Sequence, residues 1–117
     1  MSSYYLKAII LKSCPFSTNA YDLINKYKIP SDISIIESHE KEKYKTNSIS
    51  TFPQIYLNRY NTKGNLLLGG YDDLNKFIRT FKNKELTDKN IKTFMETYKW
   101  SRRATLRFIE LINNKVE

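Results

Sequence analysis

The sequence predicts an α/β fold: a four-stranded mixed sheet with flanking helices, followed by a helical C-terminal extension. Three observations predict it. The run Tyr4 to Lys12 is apolar and free of breakers, and Ser13-Cys14-Pro15 ends it. Helical spacing follows at once, in Phe16, Ala20, Leu23, Ile24 and Tyr27. Taken to Phe81, the chain then reads β-α-β-α-β-β-α, a strand–helix–strand crossover followed by a hairpin and a helix. One sheet covered on both faces by helices is the expected arrangement.

Each element has a local reason. Pro15 stands at the first helical position, where its missing N–H costs nothing. Ile29-Pro30 ends that helix, because the residue before proline is steered away from helical backbone. Ile33 to Ile36 reads as a second strand, His39 to Tyr44 as a short charged helix, and Thr46 to Thr51 as a polar loop. Pro53 precedes the third strand, Gln54 to Leu57. Asn58 to Asn65 is turn-like, with Gly64 as its expected tight position, and Leu66 to Leu68 returns antiparallel. Gly69-Gly70 leads into a helix whose apolar face is Leu74, Phe77, Ile78 and Phe81. Residues 1–83 therefore form the main body.

Residues 84–117 form a helical extension packed on the same domain. Thr87 is the expected N-cap, and Ile91, Phe94, Met95 and Tyr98 make one stripe. Trp100, Ala104, Phe108 and Leu111 make a second. The spacing leaves open whether Ser101 divides them. These aromatic residues either cap the core, the simpler reading, or dock a partner protein or a second copy.

A chain of 117 residues with 40% hydrophobic content suits one small domain with its own core. The apolar stretch Leu6 to Leu11 is too short for a signal-peptide core, and no run approaches bilayer length. A cytoplasmic, reducing location is expected. The single cysteine, Cys14, excludes an internal disulfide and a cysteine-cluster zinc site. The net charge of +8 is spread along the chain: residues 84–117 carry +3 and residues 1–83 carry +5. That distribution fits a solvated basic surface better than a nucleic-acid-binding arm, despite Arg102, Arg103 and Arg107 near Trp100. His39 stands in a charged segment and receives no metal or catalytic role.

Cys14 is the residue with chemistry to offer. A strand-to-helix junction places it where unpaired N–H groups and the helix dipole favour an anion. The thiolate is the attacking species in thiol–disulfide exchange. Free cysteine is also a common small buried residue, but proline directly after it at such a junction favours the reactive reading.

Three motifs carry a family resemblance. Cys14-Pro15-Phe16-Ser17 resembles the glutaredoxin active site C-P-Y-C, with Phe for Tyr and Ser for the second Cys. Thr51-Phe52-Pro53-Gln54 resembles the family's T-V-P-Q segment. Gly69-Gly70-Tyr71-Asp72-Asp73-Leu74 matches its G-G-x-D-D-L signature. They occur in the family's order, over about Tyr4 to Phe81, and imply the thioredoxin/glutaredoxin fold with glutathione as partner. The resemblance implies a cis peptide before Pro53 and backbone pairing of Phe52 with the glutathione cysteinyl unit. Gly70 lets the backbone approach the ligand. Asp73 holds the γ-glutamyl ammonium, and Asp72 stands with it in the first turn, where both also favour the helix dipole. Phe16 flanks the thiol as an apolar wall, or packs in the core with the rest of its stripe. Lys12 meets the glycine carboxylate, although the family's lysine lies three residues before the cysteine and Lys12 lies two. The family's basic residue three places before the proline is Ser50 here, so that contact is either missing or supplied by Lys41, Lys43 or Lys45.

Ser17 decides the mechanism that the resemblance implies. A hydroxyl performs no thiol exchange, so only a monothiol route through Cys14 remains, with a glutathionylated protein or a small mixed disulfide as substrate. The alternative within the family is a glutathione-ligated 2Fe-2S cluster shared by two subunits, as in C-G-F-S members, to which Phe16-Ser17 is similar. Pro15 and the lack of their upstream insertion speak against it. A third alternative is a glutaredoxin-derived binding module with weak catalysis.

Overall fold

The computed structural model describes residues 3–114. The ends of the two expected segments, residues 1–2 and 115–117, lie outside the described residues. The sheet has four strands in the order β2-β1-β3-β4. Strand β1 (Tyr4–Leu11) lies inside it, parallel to β2 (Ser31–Ile36) and antiparallel to β3 (Gln54–Arg59). Strand β4 (Asn65–Gly69) closes the other edge, antiparallel to β3. A parallel neighbour requires a crossover, and helix α1 (Pro15–Lys26) supplies it.

Strand alternation sorts the side chains. Leu6 faces Leu57 and Ala8 faces Ile55 across the β1–β3 register. With Ile10 and Leu68 they form one side of a single apolar cluster. Ala20 and Ile24 of α1 enter it, as do Leu74, Phe77, Ile78 and Phe81 of α3 (Tyr71–Phe81). Helices were expected on both faces. Among the described residues, the second face has only a 3-10 turn (Ser38–Glu40) and the four-residue α2 (Lys41–Tyr44). They are held there by Gln54, whose Nε2 donates to the Tyr44 carbonyl at 2.8 Å. Ile9 and Ile36 are buried but lie outside the main cluster.

Boundaries moved where backbone pairing outweighs side-chain pattern. β2 begins at Ser31, two residues before the apolar run, because Leu6 N–H donates to the Pro30 carbonyl at 2.9 Å and starts the ladder there. β3 continues to Arg59, since Asn58 and Arg59 pair with Tyr5 and Tyr4. The left-handed residue of the hairpin is Asn61, at φ 64°, and not Gly64; asparagine tolerates this region without needing glycine. Helix α1 ends before Ile29-Pro30, closed by left-handed Lys28 (φ 52°) and by Ile29 N–H donating to Ile24 at 3.1 Å.

The extension forms two helices, α4 (Asp88–Tyr98) and α5 (Arg102–Ile112). Thr87 caps α4, accepting from Asn90 N–H at 3.2 Å. Lys99 ends it at φ 60°, and Ser101 caps α5, accepting from Ala104 N–H at 3.1 Å. Ser101 therefore does divide the stripes. Phe77 of α3 stacks on Phe108 of α5 at 4.1 Å and meets Phe94 of α4 edge-on at 4.9 Å. The apolar cluster thus runs unbroken from the sheet into the extension. Asn113 stitches the connection as well, accepting from Asn83 N–H at 2.8 Å and donating to the Phe81 carbonyl at 3.2 Å. Among the described residues no helix is long and apolar enough to cross a membrane.

Candidate functional site

Strand directions bring three loops to one end of the sheet. β1 ends there and runs into Cys14. β3, being antiparallel, begins there at Phe52–Pro53. β4 ends there at Gly69-Gly70. Two of the loops approach closely: a Cβ on Gly70 would stand 3.7 Å from the Pro53 carbonyl oxygen. The Phe52–Pro53 peptide is cis. Pro53 is buried and Phe52 half-buried.

Cys14 is the N-cap residue of α1, in extended conformation (φ −102°, ψ 121°), with Pro15 next in the first turn. Ser13, at φ 66°, makes the turn that delivers it. Cys14 N–H donates to Leu11 at 3.2 Å, and its carbonyl accepts from Thr18 at 2.9 Å. No side chain caps this helix. The first-turn N–H groups precede any intrahelical acceptor, so this start favours negative charge close to the half-exposed Cys14.

The two residues after Pro15 take opposite positions. Phe16 is 57% exposed, which rules out core packing and leaves its ring at the surface, two positions after Cys14. Ser17 takes the inward place instead: it is fully buried, and its Oγ accepts from Leu11 N–H at 3.0 Å. The phase of Ala20 and Ile24 allowed either residue to face inward, and only hydrophobicity favoured Phe16.

The third loop is closed on itself. Gly70 is the N-cap residue of α3, and its N–H donates to Asp73 Oδ2 at 2.9 Å. The other oxygen, Oδ1, accepts from the Tyr98 hydroxyl at 2.6 Å. Gly69 has φ 136°, and a Cβ there would overlap the Asp73 carboxylate. Burial pushes the Tyr98 hydroxyl above the ordinary tyrosine range, and donation to Asp73 and its charge push it further. Asp72 is exposed. Tyr98 is the residue that sequence reasoning missed: its place on an apolar stripe explained it completely, and nothing local signals a carboxylate 25 positions away.

The cationic residues are more loosely placed. Lys12 is exposed, and its Nζ lies 3.9 Å from Glu37. Of the three lysines that would replace a base at Ser50, Lys45 pairs with Glu42 at 2.8 Å, which holds the Glu42 carboxyl below its usual range through that hydrogen bond and charge. His39 lies with Glu37 and Glu40, their ligand atoms within 4.8 Å of one another. Glu40 already accepts from Glu37 N–H at 3.0 Å. Cys14 belongs to no such group among the described residues.

No protein-family model matches the chain, and no curated protein matches it. The functional reading therefore stands on the motifs and on where the topology puts them.

Proposed function

We propose that this chain is a monothiol glutaredoxin-like oxidoreductase of thioredoxin fold, acting with glutathione in a reducing cytoplasm. The observation that carries this reading is the meeting of Cys14, Phe52–Pro53 and Gly69–Asp73 at one end of the sheet. Three sequence motifs that resemble one family at separate places would have no reason to converge if each had arisen from local packing alone.

The Cys14 thiolate attacks the glutathione sulfur of a glutathionylated protein or small mixed disulfide. A bond forms between Cys14 Sγ and that sulfur. The bond to the substrate sulfur breaks, and the departing thiolate takes a proton from water. A second glutathione thiolate then attacks the same glutathione sulfur, releasing glutathione disulfide and the Cys14 thiolate. Ser17 cannot take that second step, because its hydroxyl is no thiol and is engaged with Leu11 N–H.

The remaining residues bind the glutathionyl unit. The Phe52 backbone pairs with its cysteinyl amide, and Gly70 lets it approach. Asp73, with Asp72 beside it, faces the ammonium, and the first-turn amides of α3 face the γ-glutamyl carboxylate. Phe16 walls the sulfur, and Lys12 draws the glycine carboxylate.

The test is glutathione-coupled reduction of a small glutathione mixed disulfide by wild type and by Cys14→Ser. We expect turnover from the wild type and none from the variant, with melting temperatures within about 2 °C because Cys14 is partly exposed. A folded, reduced wild type without turnover would sink the catalytic reading.

A further inference from the structure

We propose that Tyr98, from the C-terminal extension, is a positioning residue for the glutathione site: its hydroxyl fixes the Asp73 carboxylate in the orientation that receives the γ-glutamyl ammonium. The inference rests on the function proposed above, and adds to it a role for the segment that the family motifs do not cover.

The geometry around Asp73 leaves little freedom. One oxygen accepts from Gly70 N–H at 2.9 Å and the other from the Tyr98 hydroxyl at 2.6 Å. Gly69 makes room for the group, since any Cβ there would overlap it. A carboxylate offers about four lone-pair sites, so two donors orient it and still leave acceptor capacity for a cation. A carboxylate already held pays less ordering entropy when its ligand arrives.

Tyr98 is itself rigidly mounted. Its ring stacks on Phe94 at 4.5 Å, and Phe94 meets Phe77 of α3 at 4.9 Å. Two residues on, Trp100 Nε1 donates to the Leu67 carbonyl of β4 at 3.0 Å. Left-handed Lys99 turns the chain between them. The α4–α5 junction therefore holds the Gly69–Asp73 turn from both sides: through β4 before it and through Asp73 at its end. A cavity of about 140 Å³ between α3 and α4, lined by Asp73, Phe77, Phe94 and Tyr98, adjoins the same carboxylate. The hydroxyl is the part of Tyr98 that the ring stack does not account for, and its partner is Asp73.

The decisive variant is Tyr98→Phe, which keeps the ring stack and removes only the donor. Two probes are used, the glutathione mixed disulfide and its counterpart N-acetylated on the γ-glutamyl nitrogen, which carries no ammonium. We expect KM for the first to rise roughly 3- to 10-fold, the loss of about one hydrogen bond, with kcat within about twofold. The variant and wild type should share one KM for the acetylated probe, and in an Asp73→Asn background Tyr98→Phe should change nothing more. An unchanged or lowered KM for the first probe, or an equal rise for both probes, would overturn the role of Tyr98 while leaving the enzyme intact. A wild type inactive on both probes would overturn the parent reading and this one together. Should the variant fail to fold, the wild type loaded on Cys14 from glutathione disulfide decides. Its Tyr98 ring resonances should differ from those of protein loaded with N-acetylglutathione, and identical spectra would refute the role.

Discussion

Helices α1 and α3 both begin at the same end of the sheet, and they begin in opposite ways. The start of α1 is open: extended Cys14, proline in the first turn, no capping side chain, and Phe16 and Lys12 turned to the surface. The start of α3 is closed: Asp73 folds back onto Gly70 N–H, and Tyr98 reaches in to hold the same carboxylate. Neither helix has a side-chain acceptor on its first-turn amides, so both starts favour an anion; α3 adds a carboxylate fixed across its N-cap N–H. Under the proposed function, the difference suits a division of labour in which the sulfur is reached and released while the binding turn stays fixed.

Gly69→Ala breaks the closed start most directly. It forces a Cβ into left-handed backbone at φ 136° and onto the Asp73 carboxylate. We expect a loss of about 2–4 kcal/mol in denaturant unfolding, from backbone cost plus the displaced cap. Gly64→Ala is the internal control. A Cβ at Gly64 meets nothing within 4 Å, so its effect should stay within about 0.5 kcal/mol. Equal losses at both positions would mean that the Asp73 cap contributes little.

The buried side of the open start is the next target. Ser17→Ala removes the fully buried Ser17 hydroxyl and leaves the part-buried Leu11 N–H without its acceptor. The expected cost is about 1–3 kcal/mol in unfolding free energy, with turnover retained because Ser17 takes no part in the chemistry. A variant that keeps its stability would show that Leu11 N–H finds another acceptor, and that α1 is anchored by Ala20 and Ile24 alone.

What the sequence revealed and what it hid divide along physical lines. Strands and helices were legible because burying one face imposes periodicity, as in Leu6, Ala8 and Ile10 or in Leu74, Phe77, Ile78 and Phe81. The cap at Thr87 was legible because capping is local chemistry, whereas the spacing left Ser101 undecided and only the structure shows it capping α5. Ladder ends were not legible, since Ser31 and Arg59 joined strands through backbone groups that every residue carries. Gly64 misled because asparagine competes with glycine for left-handed backbone, and Asn61 won. The inward turn of Ser17 contradicts the hydrophobic ranking of its neighbour Phe16, and a hydrogen bond to β1 compensates it. The Tyr98–Asp73 contact is long-range and joins a polar tip to an aromatic ring that the core had already explained.

Lys12 gives the smallest effect and the finest discrimination at the open start. Its backbone is fixed, with N–H donating to Ile36 at 2.9 Å, and its exposed side chain lies 3.9 Å from Glu37. A pair so exposed contributes little to stability, so Lys12→Ala should leave the melting temperature within about 1 °C. If Lys12 attracts the glycine carboxylate, KM for the mixed disulfide should rise roughly two- to threefold at low ionic strength. The rise should vanish near 0.5 M salt, because charges this exposed are screened over a few ångströms there. A rise that survives salt would indicate a desolvated contact that the present side-chain position does not make. No rise at low salt would assign Lys12 to Glu37 alone and remove it from the glycine carboxylate.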